Sequence, residues 1–152
     1  MQSFKFIKLM LPLSCVFMSC NPTPLPAECS EFFAYPLDQR GQVLSNYQLD
    51  KQLRIYRCGL DRRPPDTYLA RVIADGGEAT IPMLLERLET EKDELTQYGI
   101  IEIFEAMSVK GYLRNRPDAI GRIRKVVTEM KIPTFQQMAQ DDLARIEKNS
   151  VS

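Results

Sequence analysis

Apolar residues recur with the period of an α-helix from about residue 45 to near the end of the chain. In the first stripe, Leu49, Leu53 and Tyr56 fall at positions i, i+4 and i+7. Glycine and proline residues interrupt the pattern at intervals and mark the ends of successive helices. Few or no strands are expected, because no sustained alternation of apolar and polar residues occurs in the sequence. The stripes predict six helices, near residues 45–59, 66–76, 78–90, 93–111, 117–131 and from 134 onward.

The segment from residue 28 to 44 has no clear period, because Pro36 and Gly41 interrupt it. We expect an irregular or short helical segment that lies over the helices. Large apolar side chains are more often part of a core than of a binding surface. The core is therefore the expected place for the large apolar residues of this segment, Phe32, Phe33, Tyr35 and Leu37.

A weak internal repeat relates the later helices. A shift of 39 residues aligns the apolar positions of one helix pair with those of the next. The aligned residues are Ile81 with Ile120, Leu84 with Ile123, Leu88 with Val127, Phe104 with Leu143, and Met107 with Ile146. Helix pairs that repeat at about 40 residues are typical of HEAT and armadillo proteins. The predicted fold is therefore all-α, with antiparallel helix pairs in a short HEAT/armadillo-like stack of about five to six helices.

One segment resembles a single HEAT-like repeat. It reads Gly77-x-x-x-Ile81-Pro82-x-Leu84-Leu85-x-x-Leu88, followed by a charged link and the apolar run from Ile100 to Met107. The wider pattern over residues 47–107 is similar to a family of small bacterial proteins with no assigned activity. The resemblance implies an all-helical, repeat-like fold and no activity.

The first nineteen residues have the three-part form of a secretion signal. Lys5 and Lys8 precede an uncharged, mostly apolar run from Leu9 to Met18, and Ser19-Cys20 follows. The run is shorter than the roughly 20 residues that span a bilayer. The stretch from residue 16 to 20 resembles the lipobox of bacterial lipoprotein signals. The resemblance implies that residues 1–19 are removed, that Cys20 carries the lipid, and that the chain is anchored to a membrane of the bacterial cell envelope.

Other interpretations of this region stay open: lipidation at Cys15, an ordinary cleaved signal, or a short membrane anchor. Residues 20–27 follow as a proline-rich tether, since alternate prolines favour an extended spacer of about 3.1 Å per residue. We expect one helical domain at residues 28–148 and a disordered tail at residues 149–152.

Cysteine counting predicts one disulfide. If Cys15 lies in the signal and Cys20 carries lipid, Cys29 and Cys58 remain. Two cysteines in an oxidising compartment are typically bridged. The alternative is a pair of buried free thiols.

Composition narrows the classes of function. With 44% hydrophobic and 26% charged residues over 152 residues, the chain can form one packed domain. Lys and Arg balance Asp and Glu, and this balance, like export, argues against nucleic acid as a partner. The absence of histidine removes Ser-His, Cys-His and histidine-metal sites. No catalytic residue, metal ligand or cofactor is therefore predicted.

Glu102 and Glu105 are three residues apart on one predicted helix, where a solvated face is expected. The alternative is a carboxylate-dependent hydrolase that acts on envelope glycans. Such an enzyme would need two carboxylates that converge in a deep pocket, with a raised pKa.

Basic residues gather around the predicted helix at 117–131. We call them the basic group; they are Arg114, Arg116, Arg122, Arg124 and Lys125. Arginine binds carboxylate and phosphate groups bidentately, so the basic group is the preferred partner-binding surface. The alternative is a solvated helix face. The predicted function is a membrane-tethered envelope lipoprotein that acts as a non-enzymatic scaffold for a protein partner.

Overall fold

The computed structural model describes residues 25–151, which form eight α-helices and one short 3₁₀-helix. No strand occurs in this part of the chain. The helices are α1 (Ala27–Phe33), α2 (Leu37–Ser45), α3 (Leu49–Leu60), α4 (Tyr68–Ala74), α5 (Ile81–Thr90), α6 (Glu94–Val109), α7 (Pro117–Glu129) and α8 (Pro133–Val151); the 3₁₀-helix spans Glu78–Thr80. The all-α prediction is confirmed, with eight shorter helices in place of about six.

The even-numbered helices pack in one continuous row, and the odd-numbered helices form two packed pairs, which together we call the odd-numbered row. Helices α2, α4, α6 and α8 follow one another in the even-numbered row, and α6 and α8 share the most extensive packing. In the odd-numbered row α1 packs on α3 and α5 on α7, while α3 also packs on α4 and α6. Consecutive helices therefore form pairs, and pairs stack on pairs.

The 39-residue shift relates one stacked helix pair, α5 and α6, to the next, α7 and α8. Helix α6 runs alongside α8 in the same direction, because Tyr98 stacks on Phe135 near their starts and Ser108 contacts Asn149 near their ends. Nine of the ten aligned apolar residues are buried, and the tenth, Ile120, packs against the core. The repeat seen in the sequence thus places equivalent side chains in one continuous core.

Residues 28–44 form two helices, and their apolar residues divide between core and surface. Phe32 and Phe33 are buried, and the guanidinium groups of Arg40 and Arg62 lie 5.3 and 4.4 Å from the Phe33 ring centroid. Tyr35 and Leu37 were expected in the core but are exposed. Tyr35 lies in the turn between α1 and α2, and Leu37 is the first residue of α2, where few neighbouring residues are available to cover it.

Gly99 marks the closest approach of α3 to α6. A Cβ atom at this position would lie 2.6 Å from Leu60 Cδ1 and 3.2 Å from Tyr56 Cε1. The close packing brings the Tyr56 side chain of α3 against α6, where it contacts the site described below.

The end of the described chain corrects one prediction. Residues 149–151 were expected in a disordered tail but belong to α8. Asn149 donates a hydrogen bond to Ser108 Oγ at 3.0 Å, and Ser150 Oγ donates to the Ile146 carbonyl at 2.7 Å. These bonds hold the last turn of α8 to α6 and to its own preceding turn.

Candidate functional site

Three members of the basic group form ion pairs with neighbouring helices or turns. Arg116 contacts Glu78 at 2.9 Å, and Arg122 contacts Glu89 of α5 at 2.6 Å. Arg124 contacts Glu147 of α8 at 2.7 Å. The side chains of all six residues are more than one-third exposed. These arginines therefore bridge α7 to its neighbours at the surface.

The other two members, Arg114 and Lys125, are exposed. Lys125 adds to the positive field that helps lower the pKa of the Glu89 carboxyl, whose main cause is the hydrogen bond from Arg122. The structure thus keeps the basic group together along one helix and the loop before it. Its role in binding a partner stays a prediction.

The two cysteines left by the counting argument are paired. Cys29 of α1 and Cys58 of α3 form a disulfide with their Cα atoms 6.3 Å apart. Arg54 on α3 donates to Glu28 on α1 at 2.8 Å beside it. The disulfide and the ion pair together hold the first helix of the domain to the third.

The proposed lipidation residue Cys20, the second choice Cys15 and most of the predicted tether lie outside residues 25–151. Between residues 25 and 151, no helix combines the length and the hydropathy needed to cross a bilayer.

A polar pocket of about 300 Å³ lies between α4, α6 and α8. Tyr98, Glu102 and Glu105 are spaced i, i+4 and i+7 on α6, so they share the face that α6 turns toward α8. We call this site the acidic pocket and define it by Arg71, Tyr98, Glu102, Glu105, Asp142 and Arg145.

Glu102 is half-buried in the acidic pocket, so the expected solvated face is wrong for this residue. The Tyr56 hydroxyl, which reaches it from α3, donates a hydrogen bond to Glu102 Oε2 at 2.6 Å. Burial raises the pKa of the Glu102 carboxyl, and the nearby charge of Glu105 adds to that rise. Hydrogen bonds from Tyr56 and Tyr98 oppose it without cancelling it.

Asp142 is the most buried acid of the acidic pocket, with a side chain only 5% exposed. Burial raises the pKa of this carboxyl to about 6, opposed by the adjacent Arg145 and reinforced by Glu102 and Glu105. Arg145 bonds to Asp142 Oδ1 and lies 3.5 Å from Glu105. Asp142 Oδ2 has no hydrogen-bond partner among residues 25–151.

The sequence pattern did not identify Asp142 as a site residue, yet the repeat contains a signal for it. The 39-residue shift aligns Asp142 with Ile103, which is fully buried in the core. An ionisable residue at a repeat position that is otherwise apolar indicates a buried charge, and buried charges at such positions often have a function.

The acidic pocket can hold protons and bind hydrogen-bond donors. The buried Asp142 and the half-buried Glu102 change charge nearer to neutral pH than exposed acids do, because their ionised forms are poorly solvated. In the described part of the chain, no group of three or more acidic or cysteine side chains is arranged to hold a metal ion.

Comparisons with protein-family models, curated proteins and solved structures found no significant match to this chain. The functional argument therefore rests on the geometry of the basic group and of the acidic pocket.

Proposed function

We propose that the protein is an exported, lipid-anchored scaffold whose helical domain binds a protein partner at the bacterial cell envelope. The observation that carries the proposal is the stacking of helix pairs. Stacked pairs present extended surfaces, and proteins of this architecture bind partners over those surfaces without reactive groups.

Two further features support export and tethering. A disulfide such as Cys29–Cys58 is typical of proteins in oxidising compartments outside the cytosol. The proline-rich segment at residues 20–27 leads directly into α1, which contains Cys29. A lipid on Cys20 would then connect to the domain through a short, extended spacer.

The proposed partner surface is the basic group. Its three ion pairs are exposed, and such pairs contribute only about 0–1 kcal/mol each. Carboxylates of a partner can therefore replace Glu89 or Glu147 on Arg122 and Arg124 at little cost. A bidentate contact by each arginine would give the complex its orientation.

The anchor and the surface are tested separately in intact cells. Cys20→Ser should abolish fatty-acid labelling and membrane fractionation, whereas Cys15→Ser should leave both unchanged. Persistent labelling of the Cys20→Ser protein would reject this lipidation site.

The partner surface is tested by crosslinking and pull-down from membranes. Arg122→Glu/Arg124→Glu should reduce partner capture at least tenfold, and the captured complex should be salt-sensitive in the parent protein. Arg63→Glu/Lys92→Glu makes the same change in net charge at exposed positions outside α7 and serves as the control. Equal capture by the two double variants would show that the basic group is only a solvated face.

A carboxylate-dependent hydrolase of envelope glycans is the second candidate, favoured by one observation. Glu102 and Asp142 line one pocket, and the pKa of each carboxyl is raised. Purified protein incubated with cell-wall glycans should then release reducing ends. Glu102→Gln, Glu105→Gln and Asp142→Asn should each be compared with Asp141→Asn, which changes an exposed acid next to the pocket. Turnover that depends on the pocket acids would replace the scaffold proposal.

A further inference from the structure

A groove between the start of α7 and the end of α8 lies beside the basic group. Its volume is about 630 Å³, and two members of the basic group, Arg116 and Arg124, line it. Apolar side chains and one acid line it as well: Leu113, Ile120, Val151 and Glu147. Val151 is 90% exposed, and Ile120 is only partly buried. The groove therefore combines uncovered apolar surface with two cations of the proposed partner surface.

We propose that this α7–α8 groove docks an extended segment of the partner protein in which two carboxylates flank a large apolar side chain. The inference rests on the proposed function, because Arg116 and Arg124 belong to the basic group. It adds the chemistry and the spacing of the segment that the partner would present.

The charge of the lining favours an acidic segment. Arg116 and Arg124 line the groove against a single carboxylate, Glu147. Helix α7 begins beside the groove, and no side chain among residues 25–151 caps it, so the positive end of its dipole adds to the field of the arginines. A second copy of this chain would bring the same excess of positive charge, which disfavours self-association through the groove.

The ion pairs already present leave both arginines available. Arg116 is paired with Glu78 and Arg124 with Glu147, and all four side chains are more than one-third exposed. Exposed pairs are weak, so a partner carboxylate can replace either glutamate at little cost. The guanidinium of each arginine can then hold the new carboxylate bidentately.

The spacing of the lining on α7 determines the form of the segment. Arg116, Ile120 and Arg124 are four residues apart, so they follow one side of the helix over about 12 Å. In an extended chain, side chains two residues apart point to the same side, and four residues span about 13 Å. Carboxylates at positions j and j+4, with an apolar residue at j+2, therefore match the two arginines and the isoleucine between them.

An extended segment fits the groove better than a helix does. A helix about 10 Å across that covers about 12 Å of length occupies roughly 900 Å³, more than the volume of the groove. The backbone of an extended segment also needs hydrogen-bond partners. Asn115 and Ser150, which line the groove, have amide and hydroxyl groups that can supply them.

The test uses the full chain, purified in detergent, and follows its backbone amide signals by NMR during titration with a synthetic peptide. The probe is acetyl-Ser-Glu-Thr-Leu-Thr-Glu-Ser-amide, which has the proposed spacing. The control, acetyl-Ser-Glu-Glu-Leu-Thr-Thr-Ser-amide, has the same composition with its two acids adjacent. We expect saturable shifts around residues 113–124 and 147–151 with the probe, and about tenfold weaker binding of the control, which can engage only one arginine. Equal affinity of the two peptides, or no saturable shift with the probe, would overturn the proposal.

A pair of charge variants tests the arginines. Arg116→Gln/Arg124→Gln should weaken binding of the probe about 10- to 100-fold, because both charge-assisted contacts are lost. Arg63→Gln/Lys92→Gln makes the same change in net charge at exposed positions away from the groove and should bind as the parent does. Equal affinity of the two double variants would reject the arginines as the acceptors of the segment.

Apolar variants test the floor of the groove. Ile120→Thr should weaken binding of the probe about fivefold, since it removes apolar contact area. Ile132→Thr makes the same change at an exposed position between α7 and α8 and should have no effect. Val151→Ser tests the same contact at a residue that does not belong to the core, and it should weaken binding about twofold. Unchanged affinity of both Ile120→Thr and Val151→Ser would overturn the proposal.

Pull-down from membranes separates this inference from the proposed function. Ile120→Thr/Val151→Ser should reduce capture of the partner, as Arg122→Glu/Arg124→Glu does. Loss of capture by the arginine variant alone would overturn the groove and leave the scaffold proposal intact, whereas full capture by both would reject the basic group and the groove with it. A dimer of the parent in sedimentation that Ile120→Thr/Val151→Ser abolishes would show that a second copy covers the groove, and would also overturn the inference.

Discussion

The two rows of helices are joined by different kinds of contact. In the odd-numbered row, α1 is linked to α3 by the Cys29–Cys58 disulfide, and α5 to α7 by the exposed Glu89–Arg122 ion pair. In the even-numbered row, α6 and α8 meet through a broad packed surface that encloses the buried acid Asp142.

The difference shows how burial changes what a carboxylate does. Glu89 is exposed, and its arginine partner lowers the pKa of its carboxyl. Asp142 also has an arginine partner, yet desolvation outweighs that attraction and raises its pKa. Glu89 therefore forms a weak surface link between α5 and α7, whereas burial of the ionised Asp142 between α6 and its neighbours costs stability.

The largest effect on stability should come from removing the Cys29–Cys58 disulfide. Replacing both cysteines, Cys29→Ala/Cys58→Ala, should lower the free energy of unfolding by about 3–4 kcal/mol, because a disulfide across 29 residues restricts the unfolded chain. Urea unfolding of oxidised protein measures the loss. Added reductant should lower the stability of the parent and leave the double variant unchanged. An equal response of both proteins to reductant would show that the disulfide does not stabilise the odd-numbered row.

Asp142→Asn should raise stability, and only above about pH 4. The pKa of this carboxyl is higher in the folded chain than the value of 3.8 for a free side chain, so the folded state retains the proton longer. Stability of the parent therefore falls as the pH rises from about 4 to 6, by about 3 kcal/mol, and stays low above that range. Urea unfolding at pH 4 and pH 8 should show the variant equal to the parent at pH 4 and more stable at pH 8. Asp141→Asn should show no such gain; a gain of the same size would mean that burial of Asp142 is not its cause.

Tyr56→Phe should destabilise the fold by about 1.5–3 kcal/mol near neutral pH, since it removes the hydroxyl that donates to Glu102 and leaves a charged, half-buried acceptor. Tyr35→Phe makes the same chemical change at an exposed position and should have almost no effect. Thermal unfolding of the two variants gives the comparison. Similar melting temperatures would show that the polar contact between α3 and α6 contributes little.

The smallest effect on stability should come from the exposed ion pair between Glu89 and Arg122. A double-mutant cycle with Glu89→Gln and Arg122→Gln should give a coupling energy of about 0–1 kcal/mol, which salt reduces further. Urea unfolding at low and high salt measures it. A coupling energy above about 2 kcal/mol would contradict the contrast between the two rows.

Much of the fold could be predicted because burial follows the helix period. The stripes of α5 and α7 identified the residues that pack together. The pairing of Cys29 with Cys58 was predicted by setting aside Cys15 and Cys20 as signal and lipidation residues and by expecting an oxidising compartment. The boundaries of α1 and α2 did not follow, because helices of seven and nine residues are too short to show a clear period.

Within the two sites, the sequence determined which residue types were present and how far apart they lay, since spacing along a helix assigns side chains to a face. The acids on α6 and the arginines on α7 were identified in this way. Only the tertiary structure decided that Arg122 and Arg124 have acidic partners on other helices, and that Asp142 faces Glu102 across a helix interface. The physical reason is desolvation: the charge and pKa of a carboxyl depend on what surrounds it in space, and packing of distant segments sets those surroundings.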